Sequence, residues 1–306
     1  MHLHFYDVAC ATQAEAAALL TVEGATFASP AWVPSVQGVA VLDDREGQQY
    51  LLDAHGTTPL IPSGVWAHAA IAGAPRLRRS DGAPETAAIV LVVGGFGGEL
   101  SCVGVEEDEL GTAATLPVVA DDLGSSVLLL TPLSNGRLLA VLEDGRLLCL
   151  SAGEEPATLL SGVADICGAS ISSDDRSLYL CVGGGVSRCA LDLDAGECAP
   201  PEPIVLEVTK EVTGIAIDRN DNLFVCTAEG VTVCNESGDA VARATTPAPV
   251  AGCCFGGSSL NDLYVAAGDT IWRLKTNSQG VRPPSAAFIK KMDKLSAAGE
   301  FRHVGW

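Results

Sequence analysis

The chain has 306 residues, with 18 Lys+Arg against 38 Asp+Glu and a formal net charge of −20. That balance argues against nucleic acid or an anionic membrane face as partner, because phosphate recognition needs clustered cations. A hydrophobic fraction of 48% and a mean hydropathy of +0.29 exclude general disorder, and the densest apolar stretch, 87–96, is broken by Gly94-Gly95 and is far shorter than the roughly 20 residues of a spanning helix.

The first residues, Met1-His2-Leu3-His4, carry no basic region followed by an apolar one, so no secretory signal is expected there. His2 and His4 share one face of an extended segment, but two imidazoles without a third ligand do not make a metal site. The Ala-rich stretch 11–20 reads as a short helix or as a strand closing a ring. From there one unit recurs: an alternating apolar run, a turn rich in Asp, Asn and Gly, and a second apolar run. The clearest copy runs from Gly214 through the turn at 219–222 into Leu223-Phe224-Val225-Cys226, then Val231-Thr232-Val233-Cys234 and a further turn at 235–239. Similar units lie near 28–55, 87–105, 125–152, 164–192 and 249–275. A four-stranded antiparallel meander repeating every 40 to 50 residues is the mark of a β-propeller. The expectation is an all-β chain: a single six-bladed propeller of four-stranded blades over 1–282, with a helical C-terminal extension over 283–306.

Other features have plainer readings. The glycine runs at 94–98 and 183–185 lack a following Lys-Ser/Thr and are expected to be turns, not phosphate loops. The acidic run 106–109 reads as a solvated turn, and His55 and His68 as solvent-facing. No Gly-x-Ser-x-Gly occurs, which removes an α/β-hydrolase reading. The eleven cysteines are scattered without a C-x-x-C pair, and most, including Cys149, Cys181, Cys189, Cys226 and Cys234, lie in apolar runs. They read as small buried hydrophobes in an intracellular, reducing and cytoplasmic setting. In the tail, Ser285 is a helix-cap candidate and Phe288, Met292 and Leu295 fall on one helical stripe, beside Lys290, Lys291 and Lys294. With Phe301 and Trp306, these apolar side chains are the candidate contacts for a protein partner.

Specific strings carry a family resemblance. Cys253-Cys254-Phe255-Gly256-Gly257 followed by Leu263-Tyr264-Val265 resembles the closing blade of regucalcin (senescence marker protein), gluconolactonases and luciferin-regenerating enzymes. Asn222-Leu223-Phe224-Val225, Gly168-Ala169-Ser170-Ile171 and Ser29-Pro30-Ala31-Trp32 are similar to further stretches of that family. The resemblance is good over roughly 125–280 and weak before 120. It implies a propeller whose channel holds one divalent cation, usually calcium, that polarises a lactone or ester carbonyl and activates water. The family's ligands are a Glu, an Asn and an Asp, the Asp doubling as base. Their positions fall here on Ala28, Cys167 and Thr213, and the stretch corresponding to a substrate-contacting Asn-Asp pair reads Ser126-Val127-Leu128-Leu129-Leu130. Ala28 has no donor atom, Cys167 has a soft thiol in place of a hard amide oxygen, and Thr213 has a neutral hydroxyl that cannot act as a base near pH 7. The resemblance therefore implies a propeller without its catalytic metal site: no cofactor, no catalytic residue, and a non-catalytic interaction or structural role within a larger assembly. The alternative is a divergent metal-dependent lactone or ester hydrolase that binds calcium or another divalent cation through Glu23, Asp121, Asp122, Asp165 or Glu211. A third reading is a carrier with a small-molecule ligand in the channel.

Overall fold

Short alternating apolar segments joined by Asp/Gly turns cannot bury a face alone, so they pair into sheets that pack on one another. The structure, a computed structural model, describes residues 16–33, 37–53, 56–61, 65–70, 88–95, 100–105, 113–120, 123–133, 137–150, 155–193, 195–204, 206, 208 and 210–281. The strands are β1 (Ala16–Thr21), β2 (Phe27–Val33), β3 (Gly38–Asp43), β4 (Gln48–Asp53), β5 (Gly56–Ile61), β6 (Val65–Ala70), β7 (Ala88–Gly95), β8 (Leu100–Val105) and β9 (Ala113–Ala120). They continue as β10 (Val127–Pro132), β11 (Leu138–Leu142), β12 (Leu147–Leu150), β13 (Ala157–Leu160), β14 (Ile166–Ile171), β15 (Ser177–Val182), β16 (Gly185–Asp192), β17 (Glu197–Cys198) and β18 (Glu202–Ile204). The last are β19 (Val212–Ile217), β20 (Leu223–Thr227), β21 (Gly230–Cys234), β22 (Ala240–Thr245), β23 (Val250–Gly256), β24 (Asp262–Ala267) and β25 (Thr270–Lys275).

These strands form antiparallel meanders β2–β5, β6–β9, β10–β13 and β19–β22, the sheet β14–β18, and a closing sheet in the order β1-β25-β24-β23. The first strands of the sheets pack side by side in turn, β2 on β6, β6 on β10, β10 on β14, β14 on β19, β19 on β23, and β23 back on β2. The result is a β-propeller.

The expected six-bladed propeller of four-stranded blades is corrected. The structure has five four-stranded blades, not six, and the remaining sheet has five strands. In that sheet the eight-residue β16 pairs with β15 on one edge and with two partners on the other, β17 through Leu191 and Asp192, and β18 through Val186, Ser187 and Arg188. Pro200 and Pro201 lie between these two partners. Proline supplies no backbone donor, so the outer strand breaks there. No helix occurs among the described residues, and the expected helix with Phe288, Met292 and Leu295 lies outside them. Of the stretch 11–20, the part from Ala16 is strand β1, paired with β25.

The core lies between neighbouring sheets. Leu139, Val141 and Leu147 meet Leu178, Leu180 and Cys189 between the third and fourth sheets. Tyr179 and Cys181 meet Ile215, Leu223 and Val225 at the next interface. Phe224 then packs edge-on against Phe255, ring centroids 4.8 Å apart. Cys149, Cys181, Cys189, Cys226 and Cys234 are all buried, as their apolar contexts predict. Buried carboxylates tie the turns. Asp218 accepts from the Asn220 and Asn222 amides at 2.8 and 3.0 Å and from Asn222 Nδ2 at 2.8 Å. Beyond β25 the chain crosses to this turn, where the Arg219 amide donates to Gln279 O at 2.8 Å.

Candidate functional site

Each innermost strand carries a register shift near its start. Unpaired residues fall at Ser29-Pro30 in β2, Trp66 in β6, Leu128 in β10, Cys167 in β14, Thr213 in β19 and Ala251 in β23. A bulge of this kind inserts one residue and re-aims its side chain. In three strands a glycine follows, at Gly168, Gly214 and Gly252. Close approach between sheets explains it. A Cβ on Gly168 would lie 3.1 Å from Gly214 Cα, one on Gly214 would lie 3.2 Å from Gly252 Cα, and one on Gly252 would lie 3.2 Å from Pro30 Cδ.

Two expected positions, Cys167 and Thr213, therefore sit on equivalent bulges of adjacent strands. Their polar groups make the same kind of contact. The exposed Cys167 thiol points to the carbonyl of Val212 at 3.3 Å and lies 3.7 Å from that of Cys181. The Thr213 hydroxyl donates to the carbonyl of Val250. Each side chain thus staples its strand to the next sheet around the ring. A hydrogen bond with the Cys181 thiol lowers the Cys167 pKa below the ordinary cysteine value, against burial and the Glu211 carboxylate, which raise it. The fully buried Cys181 is pushed far up by the same bond and by burial.

Ala28 pairs with Leu42, one residue ahead of the bulge, so it lies just outside the ring of equivalent positions. Ser29 takes the slot matching Cys167, with φ +47°. Leu128 occupies the corresponding slot in β10. Glu23, Asp165 and Glu211 are all exposed, and Glu211 lies against Gly184. Among the described residues no three His, Cys, Asp or Glu side chains converge as a metal-binding group. Asp121, Asp122, Phe288, Met292, Leu295, Phe301 and Trp306 lie outside the described residues. The Cys167–Cys181 thiol pair was not anticipated, although the recurring residue-Gly step at strand starts was its visible signal.

The scaffold strings of the family resemblance fall where packing demands them. Trp32 stacks on Tyr264, centroids 5.6 Å apart at 15°. A Cβ on Gly256 would enter the Trp32 ring at 2.5 Å. The residue type here is dictated by contact between the first and last sheets.

Residues 133–269 match the model of the SMP-30/Gluconolactonase/LRE-like region. This stretch is an SMP-30/gluconolactonase/LRE-like region. No curated protein matches the chain in sequence. Among solved structures, a luciferin-regenerating enzyme superposes with a TM-score of 0.70 at 16% identity, covering 92% of this chain and 100% of that one. A gluconolactonase from Xanthomonas campestris gives 0.68 at 16% identity, over 86% and 90% of the two chains. A calcium-binding regucalcin from Agrobacterium tumefaciens gives 0.66 at 14% identity, over 87% and 95%. At these identities the likeness is one of fold. The SMP-30-like region spans β11 to β24 and includes both stapling bulges, Cys167 and Thr213.

Proposed function

We propose that this gluconolactonase/regucalcin-like propeller has lost the catalytic metal site and serves as a non-catalytic interaction or structural protein within a larger assembly. The observation that carries the reading is the use made of the ligand positions. Cys167 and Thr213 direct their donors to backbone carbonyls of the adjacent sheet, and Ala28 has no donor or acceptor in its side chain. A thiol is a poor ligand for a hard divalent cation, and a neutral hydroxyl is no base near neutral pH. The fold stays useful without chemistry, because a propeller is a rigid platform and function resides in the site grafted on it.

The test is a direct assay of the purified chain against gluconolactone and aryl esters with calcium, zinc or manganese, beside calorimetric titration of each metal. Neither turnover nor stoichiometric metal uptake is expected. Robust metal-dependent turnover would overturn the proposal in favour of a divergent hydrolase, with Asp165 and Glu211 the first residues to substitute.

A further inference from the structure

We propose that Cys167 and Cys181 form a two-thiol oxidation site on the inner ring of strands, which a hydroperoxide closes to a disulfide. In the bulge of β14, Cys167 and Gly168 together oppose one residue of β15, and that residue is Cys181. Cys167 is the inserted residue beside the Gly168–Cys181 pair, and its thiol lies within hydrogen-bond distance of the Cys181 thiol. The Cys181 sulfur reaches across to the bulged strand, since it lies 3.0 Å from where a Gly168 Cβ would stand. Glycine at 168 leaves that space open. From the other side, the Cys167 sulfur already lies 3.7 Å from the Cys181 carbonyl.

The two thiols differ in access. Cys167 is exposed and Cys181 is fully buried, which is the arrangement of an attacked thiol beside a resolving one. In the first step the Cys167 sulfur displaces one oxygen of the hydroperoxide, giving a sulfenic acid and releasing water (or an alcohol). In the second, the Cys181 sulfur attacks the sulfenic sulfur, the S–O bond breaks, and a second water leaves. The peroxide is reduced by two electrons and the thiol pair is oxidised by two. Two further thiol pairs among the described residues differ in access. Cys226 and Cys253 are both buried. Cys198, hydrogen-bonded to the buried Cys189, is only half-buried, whereas Cys167 is exposed.

The full-length protein would be treated with hydrogen peroxide, quenched with an alkylating agent, digested without reductant and mapped by mass spectrometry. A peptide joining Cys167 to Cys181, two hydrogens lighter than the sum of its parts and separated by dithiothreitol, is the expected product. In Cys181→Ala the sulfenic acid on Cys167 should persist and be trapped by dimedone, and Cys167→Ser should show no bridge at Cys181. Overoxidation of Cys167 without a bridge in the wild-type protein, or faster pairing of Cys189 with Cys198, would overturn the proposal.

Discussion

Gly256 is the residue with least freedom to change. A methyl there meets the Trp32 ring at 2.5 Å and the Tyr264 ring at 2.8 Å, and both rings are held by their mutual stack. Gly256→Ala should lower unfolding free energy by about 1–3 kcal/mol in urea titration, the usual cost of overpacking. Thr213→Val keeps the shape and removes the staple to Val250, and should cost about 1 kcal/mol in the same measurement. Asp174 predicts a pH dependence. The Ser172 hydroxyl, then the Arg176 amide, hold its carboxyl below the ordinary aspartate value. Its stabilising contribution is therefore present above the unfolded-state value of about 3.9 and is lost as pH falls through the lower folded value. The stability difference between wild type and Asp174→Asn should be constant near neutrality and shrink in acid. Cys167 and Thr213 stood out in the sequence because each precedes a glycine in a family-like string. Their stapling role was not legible, because it depends on which carbonyl the neighbouring sheet presents.

At the scale of the element, β1 shows propensity losing to context. Alanine favours helix in isolation, yet from Ala16 the Ala-rich stretch pairs with β25, Ala17 opposite Arg273 and Thr21 opposite Thr270. Leu20 and Val22 pack on the cluster formed by Phe27, Val39 and Ile271. An open β25 edge beside that cluster is worth more than a lone helix at this length. Removing residues 1–21 should lower the melting temperature sharply and promote self-association through the freed edge, both read by calorimetry and light scattering. A melting temperature equal to that of the full chain would contradict the clasp. The meander over 214–239 was legible because its turns carry Asp and Asn at fixed offsets, and Asp218 accepts the bonds such a turn requires. The division of one outer strand into β17 and β18 was not, although Pro200-Pro201 marked the place.

For the molecule as a whole, 38 acidic side chains against 18 basic ones leave the folded chain repelling itself. Salt shortens the screening length from about 30 Å at 0.01 M to about 10 Å at 0.1 M, so the melting temperature should rise with sodium chloride over that range. A second expectation follows from the proposed interaction role. Deleting residues 283–306 should abolish association with the partner and leave the melting temperature nearly unchanged, whereas a large fall with association intact would make that segment part of the propeller.

The closing sheet also has a consequence in time. Its strands come from both ends of the described chain, with Ala16 paired to Leu274. A ribosome delivers β1 first and β25 after every other strand, so during synthesis β1 waits without a partner while the sheets between them emerge and stack. Ring closure is thus the last step among the described strands. Contacts this distant in sequence form slowly, and a waiting apolar strand is aggregation-prone. The vulnerable species is the arc of stacked sheets that has not yet closed on β1.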